Sequence, residues 1–307
     1  MNNPNKKRLR RTMMFLNAQK PGLIKDPYIY KPDSIMLDLE DAVAENQKDA
    51  ARFSLYHALK TINYRGCERV VRINGLDSPY WKEDIRCSVA GGCDSIRIPK
   101  TESAQDVKLV EREIAYAEKE FGRPEGSVLI MAAVESARGV MKALDICESS
   151  ERLFGIALSG GDYTKDLQAH ITGTGIELMG ARQNLVIAAR AAGVQCFDTV
   201  YTDLDNMEGF RQDVETIHLM GFDGKSIINH LVIIHPAGII QVCISSDPLS
   251  SKQLIDQMIS VFICLTDLGD NIIRHGKLLR IQRCLYSNLI TTGKRCKEKV
   301  GFTNGIK

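Results

Sequence analysis

The sequence predicts a parallel (β/α)₈ barrel followed by an atypical C-terminal tail, and three observations carry that prediction. Eight short, β-rich apolar runs occur within the first 230 of the 307 residues. Helical patterns separate several of them, and no break in composition comes before the eighth. Alternating strands and helices of this number fit a closed barrel better than an open doubly wound sheet. The Gly-x-Gly-x-x-Gly turn expected after the first strand of a dinucleotide-binding fold is missing.

In chain order, the predicted strands are 12–16, 34–37, 69–73, 95–98, 128–134, 154–158, 195–200 and 224–228. Each is a short run rich in Val, Ile, Phe, Leu or Met, as buried parallel strands are. Between the fourth and fifth, the stretch from Ala104 to Gly122 places Val107, Val110, Ile114 and Phe121 on one helical face, and Ser103 with Asp106 forms a capping-box start. Between the fifth and sixth, Val140, Met141, Leu144 and Cys147 mark a second amphipathic face.

Composition changes near residue 230. Residues 231–307 hold ten Lys and Arg against five Asp and Glu, a net +5, whereas residues 1–230 carry −3. The same tail has thirteen Ile, one Ala, and four of the nine Cys. That composition is poor in strong helix formers and shows no sustained period. The reading is therefore two regions: a barrel over 1–230 and an atypical, poorly ordered extension over 231–307, with a basic docking tail as the functional alternative.

The whole chain has a net charge of only +2, so no overall field points to nucleic acid or to a membrane surface. No run reaches the ~18 apolar residues of a membrane span, and the basic N-terminus lacks the apolar region of a secretory signal. The cysteines are scattered and never form Cys-x-x-Cys, which suits reduced thiols in the cytoplasm; no His-x-x-x-His suggests zinc.

In such barrels chemistry sits where strands end. Polar residues crowd those ends: Asp38, Glu40 and Asp41 after the second strand; Arg72 and Asn74 at the third; Arg97 and Lys100 at the fourth; Glu135 after the fifth; Asp162 after the sixth; Asp198 at the seventh; Lys225 and Asn229 at the eighth. Glu135 and Asp162 end adjacent strands and form a pair suited to Mg²⁺, which takes one or two carboxylates and keeps positions for water and substrate oxygens. The same two residues would also serve as helix caps or rim salt bridges. Arg72 at an inward position needs an anionic partner. Either a substrate carboxylate held bidentately or the Asp38, Glu40 and Asp41 cluster would supply one. That cluster could orient metal-bound water and Arg72, or merely cap the next helix.

The segments RRTMMF, SIMLDLEDAV, VVRIN, IRIPKTE, AAVES, GIALSGGDYTKDL, ARAAGVQCFDTVYTD and GFDGKSIIN, in this order and spacing, resemble the citrate lyase β-subunit family within the HpcH/HpaI aldolase group. The resemblance covers residues 8–229. It implies a (β/α)₈ barrel, usually oligomeric, that cleaves a citryl thioester on an acyl carrier protein to oxaloacetate and acetyl thioester with Mg²⁺. It further implies Glu135 and Asp162 as metal ligands, Arg72 and Glu135 as substrate-binding residues, and carrier-protein and acyl-transferase subunits as partners. Malyl- or citramalyl-coenzyme A cleavage is the nearest alternative, and a barrel subunit without turnover the more distant one. The general base is not identified. Two departures stand out. Asn17-Ala18 follows the first strand where many relatives have Pro-Gly, and Asn229 is followed by His230 and an unrelated tail where the family continues Ile-Asn-Pro and then a lid. A change of reading frame near codon 230 would account for the second.

Overall fold

The computed structural model describes residues 4–228; Asn229 and the 231–307 extension lie outside the described residues. The main elements are β1 (Thr12–Asn17), α1 (Pro21–Ile24), β2 (Ser34–Asp38), α2 (Lys48–Thr61), β3 (Glu68–Arg72), α3 (Trp81–Gly91), β4 (Ser95–Ile98), α4 (Ala104–Glu120) and β5 (Leu129–Val134). They continue with α5 (Ala137–Met141), α6 (Ala143–Cys147), β6 (Leu153–Leu158), α7 (Gly160–Asp166), α8 (Met179–Ala192), β7 (Gln195–Asp198), α9 (Met207–Met220) and β8 (Gly224–Ile227). All eight strands pair in parallel in sequence order. β8 closes the barrel on β1 through Thr12 with Lys225, Met13 with Ser226 and Met14 with Ile227. The predicted fold is therefore the observed one, with strand ends within two residues of expectation.

Alternation along each strand sorts side chains into two layers. Met14, Leu16, Ile35, Leu37, Val71, Ile96 and Ile130 face outward and are buried beneath the helices. Met13, Met36, Val70, Leu129, Met131, Phe154, Ala157 and Phe197 fill the interior. The Phe154 and Phe197 rings meet edge to face at 6.0 Å. Gly155 makes this possible, because a Cβ there would come 2.5 Å from the Phe197 ring. Below this apolar plug, Arg10 donates through Nε and Nη2 to Glu68 at 2.7 Å each and stacks 3.8 Å over Phe154. The Ser34 hydroxyl also donates to Glu68, so both charges are paired and sealed.

The upper layer positions the site. Register runs sideways from Asn17 to Asp38, Arg72, Arg97 and Met131 across β1 to β5, which sets two arginines side by side just under the mouth.

Three expectations need correction. The helix predicted after β5 is split at Lys142 into α5 and α6, and its buried stripe is Gly139, Val140, Ala143, Ile146 and Cys147. Met141 is 78% and Leu144 43% exposed. Gly139 lets α5 lie against the Thr101 carbonyl, where a Cβ would sit 2.7 Å away, and this rotates the buried stripe. Phe121 falls just past α4 and is 41% exposed, although the Ser103 and Asp106 capping box forms as predicted. Finally, Asp198 and Lys225 do not reach the mouth. They are sealed outside the strands, where Asp198 accepts a bidentate pair from Arg182 at 2.9 Å and Lys225 Nζ from 2.5 Å. Asp213 of α9 joins both cations at 2.8 and 2.6 Å.

Candidate active site

β2 delivers Asp38 to the mouth and the following turn delivers Glu40. Asp38 takes Nε and Nη2 of Arg72 at 2.7 Å each, while Arg72 Nη1 lies 2.9 Å from Glu40 and 3.6 Å from Asp41. Burial pulls against the Arg72 charge, but the Asp38 hydrogen bonds and the other two acids outweigh it and hold the guanidinium firmly ionised. The acidic cluster thus serves Arg72. It does not cap α2, which begins at Lys48 behind Gln47. Lys100 Nζ also reaches Glu40, at 3.2 Å.

Glu40 is itself buried, and burial pushes its carboxyl up to about 7 against the pull of Arg72. Glu135, one residue past β5, is 4% exposed, and among the described residues neither carboxylate oxygen has a hydrogen-bond partner. Ser159 and the Lys100 amide lie near it without meeting hydrogen-bond geometry. Burial raises the Glu135 carboxyl above its ordinary range, opposed chiefly by Arg97 and then Arg72. The helix-cap alternative does not apply to Glu135, since Ser136 caps α5 by accepting from the Gly139 amide.

Asp162 stands in the first turn of α7 and is half-buried. Lys165 donates to its Oδ1 at 2.7 Å, which is the rim salt bridge weighed above, leaving Oδ2 uncommitted. Glu135 and Asp162 line one cavity of about 1120 Å³, together with Lys100, Glu102, Ser136 and Lys165. Arg72 and Asp38 line a second, of about 390 Å³, with Phe15 and Asn17. So the structure joins the two predicted metal ligands and sets the predicted substrate-binding arginine beside a separate opening. Glu40, held by Arg72 on one side and Lys100 on the other, links the two.

Among the described residues no cluster of three or more His, Cys, Asp or Glu forms a ready metal cage. A two-carboxylate donor set is nonetheless what Mg²⁺ uses, with water or substrate oxygens completing six positions. Two orphaned oxygens on a buried carboxylate carry a desolvation cost that a hard cation would relieve. The residues present therefore fit that ion.

Sequence reading noted Arg97 at the rim but gave it no role. It proves to be buried beside Arg72, with its Nη2 donating to Ser159 Oγ at 2.9 Å. Its parity within Ser95-Ile-Arg-Ile matches that of Arg72 within Val70-Val-Arg, a signal available beforehand.

The profile of the HpcH/HpaI aldolase/citrate lyase family matches residues 11–230. Citrate lyase subunit beta from Leuconostoc mesenteroides subsp. cremoris is 52% identical over 225 residues, which is 73% of this chain and 74% of that protein. A (3S)-malyl-CoA thioesterase from Cereibacter sphaeroides (strain ATCC 17025) is 31% identical over 227 residues, 74% of this chain and 73% of its own. The solved citrate lyase beta subunit from Mycobacterium tuberculosis superposes with a TM-score of 0.63 at 24% identity, covering 78% of this chain and 98% of that one, and shares the fold.

Proposed function

The chain belongs to the HpcH/HpaI aldolase/citrate lyase family of carbon–carbon lyases, and from that premise we propose that it cleaves a citryl thioester on an acyl carrier protein to oxaloacetate and acetyl thioester. Glu135 and Asp162 hold Mg²⁺ in this reading. The observation that carries it is the pair of unpartnered oxygens of buried Glu135, facing a cavity shared with Asp162.

When bound, Mg²⁺ supplies Lewis-acid polarisation of the substrate hydroxyl and lowers its pKa. The chain's own residues do the rest. Arg72 has its plane fixed by Asp38 and its Nη1 set against Glu40 and Asp41, and keeps the second Nη2 hydrogen for a substrate carboxylate. Such pre-set donors stabilise charge without reorganising during the reaction. Glu135 serves twice in this account, as metal ligand and as the wall against which the acyl group is oriented. Asp162 offers the cation its uncommitted Oδ2, while Lys165 keeps Oδ1 in a surface pair that would also cost little to break.

The proposed partners are the carrier-protein and acyl-transferase subunits and further copies of this chain, in the cytoplasm. Among the described residues no helix is long and apolar enough to cross a membrane. The likeness to the malyl-CoA thioesterase favours a malyl- or citramalyl-coenzyme A as substrate, and a second reading is carbon–carbon cleavage of such an ester at the same centre. Purified full-length protein is to be assayed with citryl carrier protein and with malyl- and citramalyl-coenzyme A. Metal-dependent release of oxaloacetate from the first supports the proposal. Turnover of the coenzyme A esters alone transfers the chain to the second reading, and no metal-dependent turnover of any leaves it a non-catalytic subunit.

A further inference from the structure

Two inward arginines stand side by side below the barrel mouth, register partners on β3 and β4, and their surroundings differ sharply. Arg72 has three carboxylates within ion-pair distance. Arg97, 2% exposed, has none among the described residues. Its contacts are the Ser159 hydroxyl at 2.9 Å through Nη2, the Met131 sulfur at 3.6 Å through Nη1, and the Phe15 ring at 5.3 Å; its buried Nε has no acceptor. A guanidinium sealed beside another guanidinium, with one donor unmet, is a costly arrangement unless an anion arrives. Burial, and then the Arg72 charge, pull its pKa down to about 10, so it stays ionised at neutral pH.

The charge count around it points the same way. Glu135 acts on Arg97 from beyond contact distance. Yet Glu135 and Asp162 together only neutralise one divalent cation, and Asp38 and Glu40, which also act on Arg97 from a distance, are already in contact with Arg72 and Lys100, so loading the metal leaves Arg97 with no carboxylate of its own. An incoming carboxylate at Arg72 would share a group already held by Asp38 and Glu40. At Arg97 it would be the first.

On the lyase reading above, we propose that Arg97 is a specificity-determining residue that receives a second free carboxylate of the acyl group. The site is thereby built for a hydroxy acyl group bearing two carboxylates, in preference to one bearing a single carboxylate. Phe15, over whose ring both guanidiniums lie at 5.2 and 5.3 Å, forms the wall between the two anchoring points.

The test uses the full chain with saturating Mg²⁺ and stable hydroxy acids, titrated calorimetrically: malate, with two carboxylates, and lactate, with one. The wild-type protein should prefer malate by about tenfold or more. Arg97→Met, which removes the buried charge at similar length, should abolish that preference by weakening malate at least tenfold while leaving lactate within about twofold. Mg²⁺ titrated alone should bind Arg97→Met no more weakly than wild type. Should Arg97→Met fail to fold, Arg97→Lys gives the same comparison, since it keeps charge but lacks the Nε donor and should narrow the preference. An unchanged malate preference in these variants, or an equal loss of both acids, overturns the role of Arg97 while the lyase reading stands. Binding of neither acid by wild-type protein in Mg²⁺ overturns both.

Discussion

At Glu40 burial competes with two cations, and burial prevails. A carboxyl raised from 4.5 to about 7 favours the protonated form in the fold. Its stabilising contribution is thus complete below pH 4.5 and is lost as pH climbs through 7. Glu40→Gln removes that dependence, so its stability relative to wild type, measured by urea unfolding in EDTA, should improve between pH 5 and 8 by on the order of 3 kcal/mol. A pH-independent difference would mean that Arg72 and Lys100 already neutralise the group. Arg72→Lys tests the neighbouring residue. A lysine keeps the charge but cannot match the two parallel bonds to Asp38, so kcat/KM should fall by more than tenfold. Wild-type kinetics there would leave Arg72 a purely structural ion pair. At this scale the sequence revealed which residues carry charge at the rim, but not which pair with one another. That Arg72 pairs with Asp38 and Glu40 emerges only from the distances between them, and the isolation of Arg97 from carboxylates is a property of what surrounds it in space.

The strands were legible because buried parallel strands are short apolar runs, and their alternation even encodes side-chain direction. Asp198 directly follows inward Phe197, so parity alone sends it outward, toward Arg182 and Lys225. Parity was the signal that would have removed both residues from the predicted rim. Lys225→Met should destabilise the barrel seam by about 3–5 kcal/mol in denaturant unfolding, because it leaves buried Asp198 and partly buried Asp213 with one cation between them. A loss below about 1 kcal/mol would mean that Arg182 suffices. The α5 and α6 pair was misread because periodicity assumes one straight helix, whereas Gly139 and the break at Lys142 shift the stripe. Met141→Lys should accordingly change stability by less than about 0.5 kcal/mol, as an exposed substitution does. A loss of 2 kcal/mol or more would restore the uninterrupted helix.

For the whole molecule, the family match ends at residue 230, where the composition also turns basic and rich in isoleucine. Every strand needed to close the barrel lies before that point. A chain cut after Asn229 should therefore keep cooperative unfolding and bind Mg²⁺. Failure of the cut chain to fold would make the extension part of the core. Comparing intact mass with the resequenced gene checks the proposed change of reading frame near codon 230. The account as a whole depends on one divalent cation shared by two carboxylates that follow adjacent strands. Calorimetric titration of Mg²⁺ into wild-type, Glu135→Gln and Asp162→Asn proteins measures that directly. The account predicts one site in the wild type and a loss of affinity of an order of magnitude or more in each variant, since an amide is a poor ligand for a hard cation. Unchanged Mg²⁺ affinity in both variants would contradict it.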